Sequence, residues 1–202
     1  MPPIISLPNY ERVFRTIHGV LLNEKGNPAK ACIYFAVIGA KILRTHHKLN
    51  ASCKAGAAIY EFSSENNGLA FADYHANELS SSKTAFHCWV EVDNWIIDFQ
   101  APLFNEALRE KDIILNLPRK MFQQNTQSES KSVNFNHKPN LALTSEVLEN
   151  FSSKPVNNDI LQICIEWYKP YPKKMHDAIS IGDTKGNVNK VTLSPHTLVG
   201  AW

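Results

Sequence analysis

A histidine and an aspartate stand eleven residues apart in Phe86-His87-Cys88-Trp89-Val90-Glu91-Val92-Asp93-Asn94-Trp95-Ile96-Ile97-Asp98-Phe99, two alternating runs broken at Asp93-Asn94. A two-residue loop at that break makes a hairpin pairing Val92 with Trp95, Trp89 with Asp98 and His87 with Gln100. In that register His87, Trp89, Glu91, Asp98 and Gln100 share one face, and Val90, Val92, Trp95, Ile97 and Phe99 form an apolar opposite face. His87 and Asp98 become diagonal cross-strand neighbours about 7–8 Å apart, within reach of an imidazole–carboxylate hydrogen bond. A longer loop would change the partner, and Gln100 is the second residue placed to orient His87. Cys32 lies upstream, near the start of a strongly apolar segment. A carboxylate beside an imidazole fixes its tautomer and stabilises its protonated form. A thiol near that ring, at a helix N-terminus, loses its proton readily and becomes a nucleophile for acyl carbon.

The elements that must position these groups are legible on either side. Pro8 opens a helix with Tyr10, Val13, Phe14, Ile17, Val20 and Leu21 at helical spacing. Gly26-Asn27-Pro28 is a second start signal, with Asn27 as cap. From Ala31 to Leu43 Lys41 is the only charged residue, which predicts a buried central helix. If Asn27 caps it, Cys32 lies beyond its first turn; a start near Lys30 brings Cys32 to the end of the dipole. His46 and His47 then close the helix, where its negative pole suits them. Ser52 to Phe62 and Leu69 to Tyr74 read as strands, and Ser80-Ser81-Ser82 as a loop into the hairpin. Asn105 to Lys111, Ser145 to Phe151 and Asp159 to Tyr168 read as helices, and residues 182–193 as a closing hairpin. Residues 123–140, rich in Gln, Asn, Ser and Lys, predict a mobile loop. The order of helices followed by antiparallel strands argues an α+β fold in a single domain, residues 1–202, with the chemistry inside residues 28–102.

Bulk properties narrow the function classes. The chain has 202 residues, 44% hydrophobic and 20% charged, an ordinary globular composition. A formal net charge of +2, with Lys and Arg scattered, argues against nucleic acid or an anionic membrane surface as partner. Cys32, Cys53, Cys88 and Cys164 form no C-x-x-C pair, which speaks against a zinc ribbon or dithiol redox motif. The N-terminal residues lack the basic flank and apolar core of a signal peptide, and no stretch approaches the roughly eighteen apolar residues of a membrane span. A reducing cytoplasm with free thiols is the expectation.

The residues quoted, Ala31-Cys32 opening a core helix, Lys54-Ala55-Gly56 on the next strand, His87-Cys88-Trp89-Val90-Glu91-Val92 and Trp95-Ile96-Ile97-Asp98, resemble the transglutaminase-like branch of the papain-like superfamily. The chain is also similar to an uncharacterised bacterial family within that group, which leaves its substrate open. The resemblance implies a buried helix packed on an antiparallel sheet, with Cys32 as nucleophile, His87 as general base and Asp98 as orienting acid. It implies a cysteine-dependent hydrolase or acyltransferase acting on an amide, peptide or thioester bond of a small molecule or peptide, with no cofactor and no metal. The gap of eleven residues from His87 to Asp98 is short for that group and requires a tight hairpin.

Taken singly, the same residues have plainer readings. A free cysteine is usually a buried small hydrophobe and a lone histidine usually a satisfied core residue. Cys53 is expected as a structural thiol, Cys88 as an inert one on the apolar face, and Trp89 as packing. Zinc held by Cys32, His87 and Asp98 is the metal alternative. A binding module that keeps the fold without chemistry is the non-enzymatic one. A backbone N–H at Cys32 is the natural oxyanion donor, with Asn23 or Asn27 as side-chain guesses.

Overall fold

The computed structural model describes residues 2–62, 68–75, 78–127, 134–182 and 185–202. Helix α1 (Leu7–Asn23) carries Pro8 in its first turn and buries its Tyr10, Val13, Phe14, Ile17 and Val20 stripe. Asn27 accepts a hydrogen bond from Ala29 N–H and caps a single helical turn, Pro28–Lys30. The central helix α2 (Cys32–His47) starts only after that turn, so Cys32 is its first residue. The N-terminal signal in the sequence therefore belongs to the short turn, and the later of the two predicted starts is the one that forms. Lys48, in the left-handed conformation at φ 59°, ends α2.

Strand β1 (Ala51–Glu61) follows, then β2 (Gly68–Phe71), the small hairpin β3 (Asp73–His75) and β4 (Glu78–Ser80), and the pair β5 (His87–Val92) and β6 (Trp95–Asp98). Helix α3 (Phe104–Arg109), β7 (Phe122–Asn125), β8 (Asn134–Pro139), α4 (Leu141–Ser152) and α5 (Pro155–Trp167) come next, and β9 (Ala178–Gly182) with β10 (Val188–Thr192) closes the order. The main sheet runs β2-β1-β5-β6-β7, with β8 also paired to β1, and these strands pair antiparallel. The fold is α+β.

The hairpin register is the predicted one: Val92 faces Trp95, Glu91 faces Ile96 and Val90 faces Ile97. Asp93 turns the chain at φ 50°, a left-handed conformation that aspartate tolerates. Alternation along β5 and β6 then divides the side chains between two cores. Cys88, Val90, Val92, Ile97 and Phe99 pack beneath α1, α2 and α5. Trp89 and Ile96 pack on the other side with Tyr60, Phe104 and Phe122. The face carrying His87 and Asp98 is thus an aromatic interior, with His87 0% and Asp98 1% exposed, rather than a polar surface.

Helix α2 lies against the sheet with little clearance. A Cβ on Gly39 would come within 2.4 Å of the buried Phe99 ring, so glycine sets how close helix and sheet approach. Helix α4 is pinned to β1 by Thr144, whose hydroxyl receives Ala55 N–H at 3.0 Å and reaches Ala55 O at 3.2 Å. The histidines at the end of α2 meet α5 and the residue after it: His46 Nε2 is 3.0 Å from Ile165 O and His47 Nε2 is 2.7 Å from the Tyr168 hydroxyl.

Two sequence expectations need correction. Residues 123–140 are not one loop: β7 and β8 occupy its ends, and residues 128–133 lie outside the described residues. The strands were hidden by composition, because their polar side chains are satisfied within the fold. Gln123 Nε2 donates to Ile5 O at 2.6 Å, and its Oε1 receives Ile5 N–H at 3.2 Å. Along β8, Phe135 and His137 turn toward the aromatic core while Asn136 and Lys138 stay exposed, a period of two written in mostly polar letters. Strand β4 likewise forms where the sequence showed only the approach to a serine loop.

Gly56 faces His87 on β5 and Pro139 on β8, and a Cβ there would lie 2.2 Å from Lys138 O. Gly56→Ala should therefore cost about 1–3 kcal/mol through overpacking against backbone that cannot rotate aside. Urea unfolding measures this, and a variant as stable as the parent would show that β8 is free to shift.

Candidate functional site

Asp98, the last residue of β6, is where the site begins. Its Oδ2 is 2.8 Å from His87 Nε2 and receives the Tyr60 hydroxyl at 2.8 Å; its Oδ1 receives Gln100 N–H at 2.8 Å. Its backbone carbonyl accepts the Tyr10 hydroxyl from α1. The carboxylate is thereby bonded from three directions in a site closed to solvent. Burial alone would raise its pKa, but the neighbouring His87 charge and these hydrogen bonds hold it below the ordinary carboxylate value.

Asp98, not Gln100, orients His87. Gln100 instead sends its side-chain Nε2 to Pro28 O at 2.7 Å, fixing the turn that launches α2. With Nε2 of His87 committed to Asp98, its Nδ1 makes no conventional hydrogen bond. The Cys32 thiol lies beside this ring and interacts with it. Burial disfavours a charged His87, but the Asp98 carboxylate, its hydrogen bond and the Cys32 sulfur together raise the ring's pKa to about 10. The Phe71 ring stacks on it with centroids 4.3 Å apart.

Cys32 is partly exposed, unlike the buried Cys53, Cys88 and Cys164. The neighbouring Cys88 side chain is the strongest influence on it. Burial opposes, and the His87 ring adds to the lowering, which brings Cys32 to about 5. Cys88 is pushed well above the ordinary thiol value by its contacts with Cys32 and Cys53 and by burial, so it remains a donor. The lowered thiol and the raised ring together favour a thiolate beside an imidazolium. Tyr34 N–H is bonded to Ala31 O at 3.0 Å, which leaves the N–H groups of Cys32 and Ile33 as the positive end of α2 at the same sulfur.

Behind Asp98 the network continues. The Tyr60 hydroxyl is 3.0 Å from His137 Nε2 while it donates to Asp98, so His137 is the donor in that second bond. Burial, and then the His87 charge, lower His137 to about 3, which keeps it neutral. Tyr60 stays protonated because burial and the adjacent carboxylate both raise its pKa.

The structure brings Cys32, His87 and Asp98 together and adds Tyr60, His137, Phe71 and Cys88, which the sequence reading did not connect. The signal for Cys88 was its place one residue from His87, on the strand face that meets α2. Tyr60 and His137 lie on β1 and β8, and only their pairing joins them to the hairpin. Asn23 and Asn27 are not oxyanion donors: their side-chain amides go to Glu24 and Glu110. Among the described residues no three of His, Cys, Asp and Glu are grouped to hold a metal, so the zinc alternative is set aside; Asp98 is bonded to His87 rather than turned beside it.

Cys32 opens into a cleft of about 370 Å³, and His87, Phe71, Phe86, Gln100 and Lys111 are among the residues around it. Among the described residues no helix is long and apolar enough to cross a membrane. A family model described as a protein of unknown function, DUF2026, matches residues 6–202. A solved structure, described as the crystal structure of genomics APC5867, is similar at 31% identity with a TM-score of 0.84, covering 100% of this chain and 98% of that one. No curated protein matches the chain.

The pair of opposite shifts has a stability signature. Asp98, lowered from 3.8, stabilises the fold above that value and loses its contribution as the pH falls through its folded pKa. His87, raised from 6.5 to about 10, contributes fully below 6.5 and less as the pH climbs toward 10. Asp98→Asn should cost about 3–5 kcal/mol between these ordinary values, and progressively less toward pH 10. Urea unfolding across that range tests it; a penalty that does not vary with pH would refute the ion pair.

Proposed function

The chain belongs to the DUF2026 family, and we propose that it is a cysteine-dependent hydrolase or acyltransferase acting on an amide, peptide or thioester bond, with a site resembling the transglutaminase-like, papain-like enzymes. The observation that carries this reading is a partly exposed, low-pKa thiol at the start of a central helix, in one cleft with an imidazole whose far nitrogen is held by a buried carboxylate.

In this reading the Cys32 thiolate attacks the acyl carbon, and free N–H groups at the start of α2 receive the developing oxyanion. The His87 imidazolium gives its proton to the leaving amine or thiolate as the tetrahedral intermediate collapses to a thioester on Cys32. Neutral His87 then takes a proton from water, or from a second acceptor, which attacks the thioester and releases Cys32. Asp98 stays ionised throughout and holds the ring, and Tyr60 and Gln100 hold Asp98. The substrate is a small molecule or peptide, and no cofactor enters these steps. A module without chemistry would leave the Cys32 thiol and the carboxylate-held imidazole beside it without a purpose.

Alkylation by iodoacetamide reads the thiolate directly. Cys32 should react ahead of Cys53, Cys88 and Cys164, with a rate that rises through a midpoint near pH 5. His87→Ala should slow it at neutral pH by about tenfold or more, as the thiol returns toward its ordinary pKa. If Cys32 reacts no faster than Cys53, and the His87 variant leaves its rate alone, the proposal is wrong.

A further inference from the structure

The first turn of α2 divides two clefts that share Phe86. One holds Cys32 and His87; the other, about 280 Å³, lies between Ile33 of α2, the loop carrying Lys83 and Phe86, and α4. Its apolar walls are Ile33, Phe86, Leu143, Val147 and Phe151. Ile33 follows Cys32 in sequence, so this second cleft starts one residue from the thiolate.

The Tyr34 and Asn157 side chains in it are already paired with each other. The Tyr34 hydroxyl donates to Asn157 Oδ1 at 2.7 Å, and Asn157 Nδ2 donates to Phe151 O at 2.9 Å. At the rim Lys83 is paired with Glu146, and Lys154 stands beside them. Lys154 and Asn150 are exposed at that rim; past them, a polar substituent would give up its water against the apolar walls, whereas an apolar one gives up nothing. The volume is below that of pockets that enclose whole ligands and suits one large side chain.

We propose that this cleft is a specificity subsite that takes a single large apolar group, aromatic or branched aliphatic, carried by the substrate next to its reactive carbonyl. The inference rests on the Cys32 reading and names the substrate class it selects. Phe86 is the shared wall that aligns the apolar group with the carbonyl.

Three alkylating probes separate the possibilities: chloroacetamide, N-phenethyl chloroacetamide and N-chloroacetylglycine. Each rate at Cys32 is read by mass spectrometry and divided by the probe's rate with free cysteine. The phenethyl probe should saturate and, at low concentration, outpace chloroacetamide by about tenfold or more, the factor expected for burying one such group. Val147→Glu and Val147→Phe, each checked for folding by circular dichroism, should bring that ratio close to one, the first by charge and the second by filling the space. Equal corrected rates for all three probes, or a phenethyl preference that survives both variants, overturns the subsite. So does a preference for the glycine probe, which would assign the cleft to an anion at Lys83 and Lys154. A Cys32 that reacts with chloroacetamide no faster than free cysteine removes the cysteine reading itself, and this inference with it.

Discussion

A charge held away from water must be matched by partners in the right places, and in this chain that requirement falls on Asp98. Its two carboxylate oxygens are bonded to His87, Tyr60 and the Gln100 backbone, and its carbonyl takes the Tyr10 hydroxyl. Those partners come from β5, β1, the chain just after β6, and α1. Any arrangement that separated one of them would leave a buried ion under-bonded, which costs far more than an ordinary packing defect. The order of the sheet, with β5 between β1 and β6, is what allows these partners to meet, and it also brings His87 to the end of the sheet where α2 begins.

The same requirement explains the electrostatics of the site. His87 is buried, which by itself would keep it neutral, yet the carboxylate behind it and the sulfur in front of it hold it charged. Cys32 is the one partly open thiol of the four, and Cys88, on the apolar side of β5, is the neighbour that most favours its charged form. His137 answers in the opposite sense: near a cation and buried, it stays neutral and serves as a donor to Tyr60. Two histidines linked through one tyrosine and one carboxylate thus carry different charge because only one of them touches the carboxylate.

Much of this was legible in the sequence where the signal was local. The Asp93-Asn94 turn fixed the hairpin register, and with it the diagonal between His87 and Asp98, because side-chain direction alternates strictly along a strand. The long apolar run after Ala31 announced the central helix. Its start was ambiguous, since Asn27 and Pro28 form a valid cap for a helical turn that happens to be only Pro28–Lys30. What could not be read was non-local: Tyr60 and His137 reach Asp98 only through the pairing of β1 with β5 and β8, and nothing in their spacing records that. Composition misled at residues 123–140, where Gln123 bonds to Ile5 across the fold and polar residues build strands instead of a loop. The side of the hairpin that looked polar proved to be an aromatic interior, since two ionisable residues can share a core when they neutralise each other.

Gln100 joins two parts of the molecule that would otherwise be related only through the whole core. Its backbone N–H holds the Asp98 carboxylate, and its side chain holds the carbonyl of Pro28, four residues before Cys32. A displacement of the start of α2 therefore draws the carboxylate with it, and through the carboxylate the imidazole. Sulfur and ring are thereby linked through one residue. The placement of one against the other is thus set by a tether of two hydrogen bonds on Gln100 and not by the lining of the clefts around them.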